Sequence, residues 1–310
     1  MDSNPYFSIV IPVYNGEDSL KPLCDRLKNT LEKINKNYEI ILVNDESPDN
    51  SLEIIRQLNI EDKRIIGLEL SRNFGQHMAI RAGLDHAKGE WIVVMDCDLQ
   101  DLPEEIVKFY EKSKEGYDLV VGKRNSRKDS LYRKIISKIY FFLFKKLSDL
   151  KISDGGNLNF GIYHRTVIKN ILKLSEYGTS FGIMAIWVGF KRAEIYVEHA
   201  AREFGESSYT FSVMLNQAVS YIFFYSNKFL YLTVKLGLLL SLSSFVLIAV
   251  ILYRYFILGY SYQGWTSQFV LTTFFSGLII LSIGILGIYI GGIFDQVKRR
   301  PFYLLRSKIG

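Results

Sequence analysis

The sequence predicts an α/β domain, a mostly parallel sheet with helices on both faces, followed by a membrane domain of two C-terminal helices. Three observations lead there. Apolar runs of strand length alternate with segments of helical spacing from residue 7 to residue 124. Two uncharged runs, 236–252 and 269–294, are each long enough with their flanks to cross a ~30 Å hydrocarbon core as a helix. Finally, the apolar stretch IVVM (92–95) drives straight into Asp96, Asp98 and Asp101.

The elements follow in order. FSIVIPVYN (7–15) is a β-rich run, and EDSLKPLCDRLKNTLEKI sets Leu20, Leu23, Leu27 and Leu31 at helical spacing. YEIILVND (38–45) is a second strand ending in acid, and in SPDNSLEIIRQL an Asp or Asn can cap a helix. RIIGLELS (64–71) is the third strand, HMAIRAGLDHAKG a helix closing on Gly89, and EWIVVMD the fourth strand. LPEEIVKFYEKSKEG opens a helix with Pro103, and YDLVVGKR is the fifth strand. Such alternation implies parallel pairing through crossover helices. Ligands of these sheets bind beyond the carboxyl ends of the strands. Here those ends carry Tyr14, Asn15, Asp45, Ser71, Arg72, Asp96, Asp98 and Arg124.

The soluble domain is expected over residues 1–225 and the membrane domain over 226–310, with spans at about 230–257 and 269–293 and a basic tail. The start, MDSNPYFSIVIPVYNG, lacks a basic region before its apolar run, so no signal peptide is expected. The tail DQVKRRPFYLLRSK is basic, which by the positive-inside rule predicts a multi-pass inner-membrane protein with both termini cytoplasmic. Cys24 and Cys97 are too few and dispersed for a disulfide framework, so reduced thiols are expected. The net charge of +6 fits anionic lipid and phosphate; no nucleic-acid recognition motif accompanies it.

Neither GxGxxG nor GxxxxGK[ST] follows the first strand, which argues against a dinucleotide enzyme or a P-loop ATPase. Two carboxylates at i, i+2 repel each other unless a cation lies between them. Asp96 and Asp98 therefore suit a divalent cation bridging a diphosphate, because Mg²⁺ takes one or two carboxylates plus substrate phosphates. Asp45 could accept from a base or ribose, and Tyr14 could stack.

IPVYN, VNDESPDNS, RNFGQHMAIRAGLDHAKG, DCDLQDLPE, GKR and REFGESSY occur in the order seen in family 2 glycosyltransferases. More narrowly, the chain resembles the polyisoprenyl-phosphate glycosyltransferases, bacterial relatives of dolichol-phosphate mannose synthase. The resemblance covers the whole chain. It implies a GT-A fold and an inverting, Mg²⁺- or Mn²⁺-dependent transfer of a sugar from a nucleotide sugar to polyprenyl (undecaprenyl) phosphate. A UDP-sugar is favoured over a GDP-sugar, the product would serve cell-envelope glycan modification, and a homo-oligomer, a tetramer, is implied.

Carried over by that resemblance, Pro12, Tyr14, Asp45 and Arg72 surround the donor, and Asp96, Asp98 and Gln100 form the metal shell. Arg124 matches the arginine of a G-x-R turn, Arg133 and Ser137 an R-x-x-x-S pair gripping the acceptor phosphate, and Arg202 the arginine before a G-x-S element at Gly205–Ser207. Two positions depart from the family pattern: Gly16 stands where Glu is common, and Leu158–Gly161 stands where G-D-F-R is common. The second leaves the donor sugar open.

LYRKIISKIYFFLFKKL (131–147) sets Leu131, Ile135 and Ile139 against Arg133, Lys134, Ser137 and Lys138, the pattern of a basic interfacial helix. A second interfacial helix is expected over about 209–226. A phosphate monoester is largely a dianion at neutral pH, so the acceptor needs positioning more than a base. Asp154, in ISDGGN, is a sugar contact or auxiliary base, or equally a turn former before two glycines. The alternatives are a family 2 transferase acting on a growing polysaccharide or other non-phosphate acceptor, and an inactive membrane scaffold or lipid-flipping partner that keeps the fold.

Overall fold

The computed structural model describes residues 4–35, 37–124, 156–176, 180–198, 200, 228–258 and 264–310. These fall into two units: the residues up to 200 together with Arg300–Gly310, and those from 228 to Arg299.

The first unit is built on one sheet of β1 (Phe7–Val13), β2 (Tyr38–Asn44), β3 (Ile65–Leu70), β4 (Trp91–Val94), β5 (Leu119–Arg124), β6 (Gly156–His164), β7 (Arg192–Val197) and β8 (Leu305–Ile309). Their order is β7-β5-β6-β4-β1-β2-β3-β8. The pairs β1–β2, β2–β3, β1–β4 and β5–β7 are parallel, whereas β6 runs antiparallel between β4 and β5 and β8 antiparallel beside β3. One face is covered by α1 (Leu20–Ile34), α2 (Ser51–Glu61) and α4 (Glu105–Ser113), the other by α3 (Gln76–His86), α5 (Arg165–Lys173) and α6 (Phe181–Trp187).

Every residue of β1 and β2 is buried, which is why both read as near-continuous apolar runs. The one acid among them, Glu39, accepts at Oε1 hydrogen bonds from both the Ser8 hydroxyl (2.5 Å) and the Lys88 amide (2.6 Å), so the buried carboxylate is not without partners. Helix α3 lies close against β1 because of Gly83: a Cβ there would stand 2.3 Å from Val10 Cγ1. That approach sets the depth of α3, and its first residue, Gln76, reaches the carboxyl rim of the sheet.

The mostly parallel sheet expected from the sequence is present, and β1 to β5 with α1 to α4 fall within a few residues of the predicted elements. One feature differs from expectation. The basic tail, assigned to the membrane domain, supplies β8 to the sheet, so Arg300–Gly310 fold with the first unit. Its alternating LRSKI is the charged edge strand that protects a sheet from further pairing.

The second unit holds α7 (Lys228–Leu258) and α8 (Trp265–Val297). At 31 and 33 residues they are about 46 and 50 Å long. Among the described residues one segment, Phe274–Val297, is long and apolar enough to cross a membrane, and Leu230–Leu240 is a shorter apolar stretch. The first segment overlaps the second expected span, and α7 is a single helix over the range expected for the first. Large apolar side chains on both helices stay exposed, Phe256 by 73% and Ile280 by 70%, far more contiguous apolar surface than a water-facing helix pair carries.

Candidate active site

The carboxyl ends of β1 to β4 meet at one rim, and three loops build it. The β1–α1 loop leaves the sheet at Val13 and turns at Asn15, whose φ of 53° is left-handed. It is fastened to the β2–α2 loop by several hydrogen bonds. The Asn15 amide donates to Ser47 Oγ (2.7 Å), the Gly16 amide to Ser51 Oγ (3.1 Å) and the Glu17 amide to Asp49 Oδ2 (3.0 Å). Glu17 returns the contact, accepting the Asn50 amide (2.9 Å). Burial alone would raise the Asp49 carboxyl, yet bonds from Ser47, Ser51 and the Glu17 amide prevail and hold it below the usual carboxylate range. Gly16 thus has a place of its own: its Cβ would lie 3.3 Å from Val13 Cγ1 and 3.4 Å from Cys97 Sγ.

Asp45 follows β2 and is 3% exposed. Its two carboxylate oxygens accept the backbone amides of Phe74 (2.7 Å) and Gly75 (2.8 Å), so the aspartate holds the loop that joins β3 to α3. Burial raises the Asp45 carboxyl, and these two N–H groups pull it back only partly. Gly75 takes φ +90° as it enters α3, a conformation that suits glycine. Arg72 is exposed on the same loop, its guanidinium 4.1 Å from the Phe74 ring centroid.

The β4 exit supplies the paired acids. Asp96 and Asp98 are half-buried, and Asp96 Oδ1 accepts the side-chain amide of Gln76 (2.6 Å) across from α3. Asp98 Oδ1 accepts the Gln100 amide (3.2 Å), and Leu99 between them is left-handed at φ 58°, so the chain turns tightly here. Cys97 faces inward: burial pushes its thiol up to about 12, and it is inert as a nucleophile. The Ala200 amide donates to Gln100 O (3.0 Å), which holds Ala200 against this turn.

Asp96, Asp98 and Gln100 present only oxygen ligands to a cation, a set suited to Mg²⁺ or Mn²⁺ rather than to a thiolate- or imidazole-loving metal. Among the described residues no group of three or more His, Cys, Asp or Glu side chains is poised to hold a metal alone. A cation here would complete its shell from substrate oxygens and water.

The rim therefore gathers Pro12, Tyr14, Asp45, Arg72, Asp96, Asp98 and Gln100 from the sequence-predicted set. Pro12 is buried in β1, and Tyr14, just past the strand, is 44% exposed. Arg124 ends β5 at the same rim. Arg133, Ser137, Asp154, Arg202, the two interfacial helices and the Gly205–Ser207 element lie outside the described residues. Sequence reasoning missed Gln76, the partner of Asp96, and Ser47, Asp49 and Ser51, which couple two rim loops. The S-P-D-N-S run was a turn signal, but nothing in it named the loop opposite. His77, next to Gln76, is neutral: burial lowers its pKa to about 4, and Nδ1 has no hydrogen-bond partner.

Comparison with known proteins agrees with this geometry. The family described as Glycosyl transferase family 2 matches residues 8–172. An uncharacterized glycosyltransferase of Bacillus subtilis, YkcC, is 36% identical over 312 residues, spanning 100% of this chain and 96% of its own. The undecaprenyl-phosphate 4-deoxy-4-formamido-L-arabinose transferase of Proteus mirabilis is 35% identical over 98% of this chain and 94% of its own. Among solved structures, glucosyl-3-phosphoglycerate synthase from Mycobacterium tuberculosis shares the fold at TM-score 0.50 and 16% identity, covering 73% of this chain and 81% of that one. The mannosyltransferase PcManGT from Pyrobaculum calidifontis, solved with GDP-Man and Mn²⁺, does so at TM-score 0.50 and 14% identity, covering 72% and 64%. The chain is a glycosyltransferase and belongs to glycosyl transferase family 2.

Proposed function

We propose that the protein transfers a sugar from a nucleotide sugar, a UDP-sugar before a GDP-sugar, to a polyprenyl phosphate at the cytoplasmic face of the membrane. The observation that carries this reading is the rim of paired carboxylates in a chain that matches, over 98% of its length, a transferase named for undecaprenyl phosphate. Tyr14, Pro12 and the loop held by Asp45 receive the nucleoside. Asp96, Asp98 and Gln100 would hold a divalent cation, which would supply positive charge to offset that of the departing nucleoside diphosphate. Gln76 keeps Asp96 oriented, since its side-chain amide donates to one carboxylate oxygen.

Arg124, Arg133 and Arg202 hold the acceptor phosphate by charge-assisted hydrogen bonds, with Ser137 one turn from Arg133 on a helical reading of 131–147. The phosphate oxygen, already ionised, attacks the anomeric carbon as the diphosphate leaves from the opposite side, which inverts that centre. Asp154 contacts the sugar. Interfacial helices over 131–147 and 209–226 bring the lipid phosphate to the rim.

Connectivity supports two crossings. β7 and β8 share one sheet, so a chain that enters the membrane between them returns to the side it left. Phe274–Val297 is one crossing and α7 supplies the other, with both termini cytoplasmic. The glycines of α8 (Gly284, Gly287 and Gly291) leave open space that permits close helix packing in a homo-oligomer.

Acceptor kinetics of Arg133→Ala test the phosphate clamp. Loss of one charge-assisted contact predicts an acceptor KM raised, or kcat lowered, by about ten- to a hundredfold, with donor KM unchanged. Arg133→Lys recovers part, because an ammonium lacks the planar fork. Unchanged acceptor kinetics with weakened donor binding would move Arg133 to the donor side and reopen the identity of the acceptor.

A further inference from the structure

The carboxy-terminal segment arrives at the same rim as the candidate active site. β8 pairs with β3 so that Leu305 stands opposite Leu70 and Ser307 opposite Glu69. Its first residues therefore lie where β3 releases the chain into the 71–75 loop. Arg306 takes three partners there. Its Nη1 donates to Glu69 Oε1 (3.1 Å), its Nη2 donates to the carbonyl of Ser71 (2.8 Å), and the same Nη2 lies 3.6 Å from Glu46 Oε1. The Ser307 hydroxyl donates to the second oxygen of Glu69 (2.6 Å), and the Ser71 amide donates to the carbonyl of Leu304 (2.9 Å).

Glu46 passes the constraint on. It is the residue after Asp45, held left-handed at φ 53°, and its Oε2 accepts the Asn73 amide (3.1 Å). The loop is thus held at three successive backbone amides: Asn73 by Glu46, and Phe74 and Gly75 by Asp45. One guanidinium fixes the first of those anchors and the start of the loop together. Upstream, the Phe302 ring lies 4.0 Å from the Arg81 guanidinium and the Tyr303 hydroxyl donates to Asp85 Oδ2 (3.0 Å), which docks the segment on α3.

We propose that Arg306 is a positioning residue of the donor site: through Glu46 and the Ser71 carbonyl it fixes the 71–75 loop in the arrangement that receives a nucleoside diphosphate. The proposal rests on the reading of the rim as a nucleotide-sugar site. It makes donor affinity depend on a strand supplied by the residues that follow α8. The Arg306 and Glu46 side chains are 52% and 47% exposed, and an ion pair so placed adds little to global stability. Glu69 is buried and keeps the Ser307 hydroxyl when Arg306 is replaced, so unfolding of each variant is measured beside its nucleotide affinity to separate loop geometry from folding.

The test is equilibrium binding of UDP and of GDP, each with Mg²⁺, to the full-length protein in lipid nanodiscs, alongside initial rates against donor and acceptor. Arg306→Ala should weaken whichever nucleotide the wild type binds by about tenfold and raise donor KM to match, with acceptor KM unchanged. Arg306→Lys should restore part of the affinity, and Tyr303→Phe, which loses only a contact on α3, should bind as wild type does. Arg306→Ala with wild-type nucleotide affinity overturns the inference and leaves the nucleotide-sugar reading standing. A wild type that binds neither nucleotide overturns both. Where Arg306→Ala does not fold, Arg306→Lys decides: wild-type affinity together with wild-type hydrogen-exchange protection of the 73–75 amides refutes the role.

Discussion

Asp45→Asn separates holding the donor loop from holding the fold. The native carboxylate accepts two backbone amides, Phe74 at 2.7 Å and Gly75 at 2.8 Å. Asparagine keeps one carbonyl oxygen and turns an NH₂ toward the other amide, so one charge-assisted bond is lost and a donor meets a donor. Such a bond contributes about 1.5–3 kcal/mol. Against this stands the cost of the charge itself. Burial raises the Asp45 carboxyl above its ordinary range despite both amides. A carboxyl whose folded pKa exceeds its unfolded value weakens the fold once the pH lies above both, and asparagine removes that penalty. The two effects oppose each other in stability but not in donor binding, which needs the loop in place. The expected outcome is a change in unfolding free energy below about 1 kcal/mol, with donor KM raised about ten- to thirtyfold, the equivalent of about 1.4–2 kcal/mol. Thermal unfolding and donor-saturation kinetics on the same preparation measure both. An Asp45→Asn protein that unfolds far more easily yet keeps wild-type donor KM would refute the reasoning and make Asp45 a purely structural residue.

Two further outcomes are expected. His77 is half-buried and its pKa is lowered by burial to about 4, whereas an exposed histidine titrates near about 6.5, so the unfolded chain binds a proton in that window that the folded chain refuses. Stability should then fall as pH drops from about 6.5 toward 4, by up to about 1.4 kcal/mol per unit from this residue, and His77→Gln should flatten the slope of unfolding midpoint against pH. Asp96→Asn and Asp98→Asn should each lower transfer by about a hundredfold or more while membrane attachment persists, read from turnover and from sedimentation with vesicles.

Much of the fold was legible in the sequence because β1 to β4 are largely buried and read as apolar runs, two of which, β2 and β4, end in acids. The strands that escaped notice have physical reasons. β6 (GNLNFGIYH) is broken by Gly161, where a Cβ would meet Val120 O at 2.6 Å, so its apolar pattern is interrupted by a packing need of the sheet itself. β7 and β8 are short edge strands rich in charge, and RAEIYV and LRSKI look like surface segments until a neighbour pairs with them. At the site, residue types at strand ends announced Asp45, Asp96 and Asp98. The contacts that orient them did not show: Gln76 to Asp96, Asp45 to the 74–75 amides, and Arg306 to Glu46 and Glu69 are all long-range, and no local pattern encodes which distant side chain closes a hydrogen bond. The Arg306 contacts span more than 230 positions in the chain.

The most direct measurement offers the purified protein a panel of labelled UDP-, GDP- and dTDP-sugars with either undecaprenyl phosphate or undecaprenol, and identifies the lipid product. The account predicts a single sugar joined to the lipid through phosphate, formed only from the phosphorylated acceptor, halted by EDTA and restored by Mg²⁺ or Mn²⁺. Equal transfer to undecaprenol, transfer to a polysaccharide instead of the lipid, or full turnover in excess EDTA would contradict it.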